Sequence, residues 1–445
     1  MSDLHSHPAA LQQDALPAGL RDQLDGCGPA DLVVGIPSFG HADAAARVAD
    51  AVKAGLAAFF PGIPAAVVLS EGGSTDGAAV ALRAALPNPR RLVLARRQVP
   101  PGEAAAPPYH GMPGKAGALR TVLAVAEELG AKACVVLDPD NATVGPAWLD
   151  LLLSPILRDG IDLVAPVYLR HKYDGLLNRG IVYPLTRSMY GRRVREPMGG
   201  EFGCSARLVR HWLAQSVWES ELAPFGIDAW LTVAAISGGF QVGQAFLGTR
   251  IHAARDPAPA LPGILHQVVG SLFELMDTHV EAWMAVRGSA PVPLFGQMQG
   301  AAAEPVRVDT ASMVRAFRRG VRDLEGIWRL VLRRDDIGAL RQIGIWDPSR
   351  FYLPDDLWIQ VLHDFALAFH RRVMDRQHLL QALTPLYLGW VASFAFATRQ
   401  ATAGAVEAME ERTCLRFEDL KPDLAARWDA EELPPAAPAQ PRRFP

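Results

Sequence analysis

Cysteine is scarce in this chain. Only four occur in 445 residues (Cys27, Cys134, Cys204 and Cys414), and no two stand as Cys-x-x-Cys. That argues against a disulfide framework or a cysteine zinc site and fits reduced thiols in a cytoplasmic protein. A basic block is also missing: 44 Lys and Arg stand against 47 Asp and Glu, for a net charge of −3. Nothing offers the electrostatic footprint of a nucleic-acid partner. Met1 to Gly28 carries no apolar h-region, so no secretory signal is expected, and His5-Ser6-His7 in that polar stretch is read as having no role. No Gly-x-Gly-x-x-Gly follows the first strand-like segment, which argues against a nicotinamide dehydrogenase.

One long hydrophobic run is present. Leu379 to Thr398 holds no charged residue and is long enough to span a bilayer. Gln381, Thr384, Pro385, Gly389, Ser393 and Thr398 interrupt it, and Arg371, Arg372, Arg376 and Arg399 flank both ends. The expectation is a buried helix pair inside a helical domain, with no membrane span.

From Asp31 to about Gly248, strand-like and helix-like segments alternate. Strands are expected at Asp31–Ile36, Ala65–Ser70, Arg91–Ala95 and Ala133–Leu137. Helices are expected at Ala42–Phe59, Asp76–Leu86 and Lys115–Leu129, with a Pro/Gly-rich loop at Pro100–Gly114. That alternation implies βαβ units and a mostly parallel sheet. After about Arg255 apolar residues recur at helical spacing, as in Met313, Phe317, Val321, Leu324, Trp328 and Val331, or Leu357, Val361, Phe365 and Phe369. No strand pattern is evident there. The expected division is an N-terminal extension (1–30), an α/β domain (31–260), a mainly helical domain (261–432) and a disordered Pro/Ala-rich tail (433–445). Arg287 to Asp309 is a candidate linker or a loop beside the active site.

Chemistry concentrates at the ends of the strand-like runs. Ala133-Cys-Val-Val-Leu137 stops at Asp138-Pro139-Asp140, two hard oxygen ligands where open α/β sheets bind ligands. Such carboxylates suit Mg²⁺ or Mn²⁺, which in turn suits a diphosphate. Ile36-Pro37-Ser38-Phe39-Gly40 ends the first strand, the Pro being expected to stop it. Pro37 and Phe39 are either part of an ordinary βα loop or a pocket for a base and ribose. Ser70-Glu71-Gly72-Gly73-Ser74-Thr75-Asp76-Gly77 ends the second. There Glu71 and Asp76 can accept from ribose hydroxyls or a base N–H, and one of Ser74, Thr75 and Asp76 caps the next helix. Lys115 opens a helix at Met112-Pro113-Gly114-Lys115, a place that attracts phosphate. The spacing is not that of a Walker A loop.

In this order (base loop, Gly-Ser-Thr-Asp-Gly turn, Gly-Lys helix, Asp-x-Asp) the motifs resemble those of GT-A glycosyltransferases. Among these the chain looks closest to the retaining mannosylglycerate and glucosylglycerate synthases, with glucosyl-3-phosphoglycerate synthases nearby. The likeness covers residues 31–260 and extends more loosely to Pro385-Leu-Tyr-Leu-Gly389 and Val391-Ala-Ser-Phe394. It implies a Rossmann-like nucleotide-diphospho-sugar transferase domain followed by a helical one. Pro197-Met198-Gly199-Gly200-Glu201-Phe202-Gly203 is similar to the family's acceptor loop, with the Met198 carbonyl by the anomeric centre. By the same resemblance Asp228 lies near the acceptor hydroxyl, and His252, in Gly248-Thr249-Arg250-Ile251-His252, takes the place of a third metal ligand beside Asp138 and Asp140. Arg170 is the choice for recognising an acceptor carboxylate, since a guanidinium fork suits a planar carboxylate. The further arginines at 179, 187, 192, 193 and 195 keep a phosphorylated acceptor open. Glu71 stands where many relatives carry Asp, which leaves the base undetermined.

The resemblance implies a metal-dependent hexosyl transfer from a nucleotide-diphospho-sugar (GDP-mannose or NDP-glucose) to a small hydroxy acid, D-glycerate or 3-phosphoglycerate, or to a glycan or lipid acceptor. It implies retention of configuration; in an inverting enzyme Asp228 would be a general base. Two rivals remain. A nucleotidyltransferase would need a Gly-rich basic signature within Met1–Gly40, which is absent. A sugar-nucleotide sensor on the same fold should have lost a metal ligand. The apolar helical domain offers a subunit interface for a homo-oligomer.

Overall fold

The computed structural model describes residues 16, 19–39, 42–72, 77–85, 88, 91–96, 114–220, 223–250, 261–298, 303, 305–347 and 350–429. His252 and Ser74–Asp76 lie outside them, as do residues 97–113 and the tail beyond 429.

The strand-like runs form one eight-stranded sheet in the order β3-β2-β1-β4-β6-β5-β7-β8. The strands are β1 Leu32–Ser38, β2 Ala65–Glu71, β3 Leu92–Arg96, β4 Ala133–Val136, β5 Leu163–Leu169, β6 Phe202–Ser205, β7 Val242–Thr249 and β8 Leu294–Phe295. All pairings are parallel except the two made by β6. Every residue of β1 is buried, as expected of a central strand covered on both faces. One layer against the sheet is built by helices Ala42–Phe59 and Ala147–Asp159, whose Val48, Val52, Leu149, Leu152 and Leu153 join Val34, Ile36, Val135 and Leu137 in a single core. Each such side chain contributes about 1.5–3 kcal/mol when fully buried. Helix Lys115–Glu128 lies so close to the sheet that a Cβ on Gly35 would meet Val122 Cγ1 at 2.2 Å. That approach sets the height at which the helix begins, and with it the position of Lys115.

The expected class, an α/β sheet domain followed by mainly helical structure, is what the structure has. Three details differ. Pro37 does not stop β1, which runs on to Ser38. Gly35 faces β4, since its carbonyl accepts from Leu137 N. By alternation Pro37 faces the same way, beyond the last β1–β4 pair at Gly35 and Val136, so its missing N–H costs no ladder bond. Strand structure also occurs after 255: β8 pairs with β7, and Arg192 bridges to Ala290. The segment read as a linker is therefore partly sheet edge. Finally, the chain divides into one compact unit of residues 1–282 and 289–306 and a second of 283–288 and 307–445. Helix Leu261–Thr278 falls in the first unit, beyond the boundary expected at 260.

The second unit is helical. Its longest apolar helix, Arg376–Thr398, is one continuous element with Pro385 inside it, not a pair. Among the described residues it is the one helix long and apolar enough to cross a membrane, and 72% of its most apolar window is buried inside the protein. Trp358, Tyr387, Trp390 and Phe394 stack along it. The Trp328 indole donates to the Ala382 carbonyl at 3.0 Å. The periodic series from Met313 to Val331 spans two helices, Thr310–Asp323 and Glu325–Val331.

Candidate active site

Strand directions gather the chemistry at one edge. With β6 reversed, the carboxyl ends of β1, β2, β4, β5 and β7 and the amino end of β6 share a side of the sheet. Pro37 to Phe39, Glu71, Asp138 to Asn141, Arg170, Arg250 and Glu201 lie at those ends or within a few residues of them. The order changes direction between β1 and β4, the switch point where open α/β sheets bind ligands.

Asp138 is buried at the end of β4. Its Oδ1 accepts from the Asp140 N–H at 3.0 Å, and its carbonyl accepts from Asn141 N at 3.2 Å, so the Asp-Pro-Asp segment closes as a tight turn. Asp140 is half-buried. Burial raises the Asp138 carboxyl above the ordinary carboxylate range, Lys115 pulls it down, and Asp140 adds to the rise. A Cβ on Gly200 would stand 2.7 Å from Asp138 Oδ2, so any larger residue there would push on that carboxylate.

Lys115 Nζ donates to Asp228 Oδ2 at 2.7 Å, with side-chain exposures of 8% and 7%. The donor-side lysine and the acceptor-side aspartate of the sequence reading therefore meet. Burial raises the Asp228 carboxyl, Lys115 opposes that, and Glu201 adds to it. Arg250, at the end of β7, is also buried, with its guanidinium carbon 5.1 Å from the Tyr168 ring centroid. Burial works against its charge, and Glu201 does most to hold it.

Glu201 is 0% exposed. Its Oε1 accepts from Asn141 Nδ2 at 2.9 Å, and its Oε2 accepts from the Tyr168 hydroxyl. It was expected to touch the acceptor; here its carboxylate faces two internal donors. Arg170 is clasped as well, donating to Glu196 at 2.7 and 3.1 Å and to Asp174 at 3.1 Å. A substrate carboxylate would have to compete with Glu196 for that fork. Met198 is buried, and Gly199 sits where a Cβ would meet Pro166 Cγ at 2.3 Å. Pro37 and Glu71 are buried beside Ser38, whose hydroxyl has no hydrogen-bond partner among the described residues; Phe39 is half-buried.

The donor set fits a divalent cation. Lys115 and Arg250 act on both the Asp138 and the Asp228 carboxylates, with Asp140 adding to the rise of the first and Glu201 to that of the second. Asp138 and Asp140 provide hard oxygens and leave room for water or phosphate oxygens. Among the described residues no group of three or more His, Cys, Asp or Glu converges as a metal cluster, and His252 lies outside them. Sequence reasoning passed over Arg250, Asn141 and Tyr168. The first two stand inside or directly beside motifs already singled out, whereas Tyr168 carries no local signal.

Neither a protein-family profile nor a curated protein sequence matches the chain. Among solved structures it is similar to glucosyl-3-phosphoglycerate synthase from Mycobacterium tuberculosis, a GT-A glycosyltransferase. The complex of that enzyme with Mg²⁺ and uridine diphosphate is 22% identical at a TM-score of 0.42, covering 58% of this chain and 84% of that one. Its complex with Mn²⁺, uridine diphosphate and phosphoglyceric acid is 20% identical at 0.40, covering 57% and 82%. A complex with Mn²⁺, uridine diphosphate and glucosyl-3-phosphoglycerate gives 19% at 0.40, covering 61% and 86%. This is a distant likeness of arrangement.

Proposed function

We propose that the sheet unit is a metal-dependent retaining glycosyltransferase. It moves a hexose from a nucleotide-diphospho-sugar (GDP-mannose or NDP-glucose) to a small hydroxy acid, D-glycerate being the first candidate. The observation that carries this reading is the gathering of Asp138, Asp140, Lys115, Asp228 and Arg250 at one edge of the sheet. Asp138 and Asp140, with His252 by resemblance, would hold the cation. A bound Mg²⁺ or Mn²⁺ supplies Lewis-acid stabilisation of the diphosphate leaving group.

The chain's own residues do the rest. Pro37, Phe39 and Glu71 hold the base and ribose, and the Lys115 ammonium adds positive charge on the diphosphate side. Asp228 orients the acceptor hydroxyl, and Lys115 keeps its carboxylate in place. Gly199 and Gly200 let backbone approach the sugar, with the Met198 carbonyl beside C1. The protein works in the cytoplasm, and its helical unit supplies the interface of a homo-oligomer.

A phosphorylated acceptor such as 3-phosphoglycerate is the second reading. It is favoured by Arg193, which donates to the Ser289 hydroxyl at 3.0 Å, and by Arg195, whose guanidinium carbon lies 5.2 Å from the Tyr183 ring centroid, whereas Arg187 is fully buried against Ser289 and Tyr183. The engagement of Arg170 by Glu196 and Asp174 favours it too. The test is nucleotide release from GDP-mannose, GDP-glucose and UDP-glucose, each with glycerate or 3-phosphoglycerate and Mn²⁺. The expected result is release from one donor, dependent on one acceptor; no release from any pair refutes the reading. The product anomer, read by NMR, tests retention: a β-linkage from an α-linked donor would refute it.

A further inference from the structure

We infer that Glu201 is a positioning residue that fixes the Asp138–Asp140 turn through Asn141 and holds the Arg250 guanidinium in register with it. The inference rests on the glycosyltransferase reading above. It assigns Glu201 to the interior scaffold of the site in place of the acceptor.

Hydrogen-bond chemistry sets the orientation of Asn141. Its Oδ1 accepts from the Thr143 N–H at 3.1 Å and from the Thr143 hydroxyl at 2.7 Å. A backbone N–H can only donate, so the amide oxygen must face Thr143 and the NH₂ must face Glu201, at 2.9 Å. The bond ties the residue directly after Asp140 to the residue directly before β6. The same loop presses on the turn a second time, where Gly200 lies against Asp138 Oδ2. The second Glu201 oxygen accepts from Tyr168, whose ring lies 5.1 Å from the Arg250 guanidinium carbon and 5.4 Å from that of Arg170. One carboxylate thus joins the ends of β4, β5 and β6, and the Tyr168 ring carries the link on to Arg250 at the end of β7. A buried ionic hub of this kind adds little stability over an apolar replacement of similar volume, so its value lies in specifying geometry.

Outer partners of metal ligands typically change metal affinity about 10–100-fold when removed. The test uses the full chain and measures Mn²⁺ binding by calorimetry in the presence of GDP or UDP. Asn141→Ala and Glu201→Leu are each expected to weaken Mn²⁺ about 10–100-fold. The double variant should be no weaker than the worse single one, because both break one link. Tyr168→Phe should leave Mn²⁺ affinity within about twofold of wild type, since it frees only the Arg250 arm. A purely structural role would lower the melting temperature of Asn141→Ala while its Mn²⁺ affinity stayed at the wild-type value. That result, or additive effects in the double variant, overturns the inference. Absence of Mn²⁺ binding in the wild type with either nucleotide overturns the glycosyltransferase reading itself. Should Glu201→Leu fail to fold, Asn141→Ala and Tyr168→Phe decide the matter.

Discussion

Replacing Lys115 by Met should destabilise the sheet unit far more than replacing Lys115 and Asp228 together. The two charges are 2.7 Å apart with less than a tenth of either side chain exposed. At an effective dielectric of about 20, their attraction is about 6 kcal/mol, and each ion gives up several kcal/mol of hydration to be there. The intact pair therefore comes close to balancing. Lys115→Met removes the attraction and leaves Asp228 buried with Glu201 adding to its charge, a loss of about 3–5 kcal/mol. Protonation of Asp228, whose carboxyl is already raised by burial, limits the cost at low pH, so the penalty should grow from pH 5 to pH 8. Lys115→Met with Asp228→Leu removes both charges and should fall within about 2 kcal/mol of wild type. Because the chain forms two compact units, a single melting temperature mixes their transitions. Hydrogen exchange of amides in β1 and β4 isolates the sheet unit. A double variant as unstable as the sum of the singles would refute the reasoning. Lys115→Met, Asp228→Leu and the double variant should all lose turnover, so the stability readout carries the distinction.

Asp140→Asn should nearly abolish metal-dependent turnover, and intact activity would remove the metal assignment. Gly200→Ala should lower turnover about 10–100-fold by pushing on Asp138 Oδ2, with little change in exchange protection of β4; unchanged kinetics would show that the carboxylate need not sit there. In the helical unit, burial, with Asp364 nearby, raises Asp336 to about 6, while burial lowers His363 to about 3. A raised acid contributes stability that is lost as pH rises from about 4 to 6, and a lowered base contributes stability that is lost as pH falls from about 6.5 to 3. The two slopes oppose each other. Asp336→Asn should therefore leave an exchange protection of helix Asp355–His370 that climbs with pH from about 4 to 6.5, and should stabilise the unit by about 2 kcal/mol at pH 7; a profile parallel to wild type would refute this. The Gln23 side chain bonds both backbone groups of Leu94 on edge strand β3, at 2.9 and 3.2 Å, so Gln23→Leu should speed exchange of the Leu94 amide.

Much was legible before the structure. Buried parallel strands announce themselves as β-branched apolar runs, so β1, β2 and β4 were found within two residues of their ends, and helix Ala42–Phe59 at both boundaries. The two-residue strand β8 was not legible, because it is too short to carry a period and gains its pairing only from β7. Pro37 misled for a related reason: whether a missing N–H matters depends on where the neighbouring strand ends.

Local sequence therefore determined the alternation of elements and the placing of Asp138, Asp140, Glu71 and Lys115 at element ends, since hydrophobic period and turn chemistry act within a few residues. Only the tertiary structure decided the partners. Lys115 and Asp228 are 113 positions apart, and Asn141 and Glu201 are 60 apart. No local pattern records that reversal of β6 brings the start of that strand beside the ends of β4 and β5. The burial that gives those charges their force exists only once the sheet is assembled.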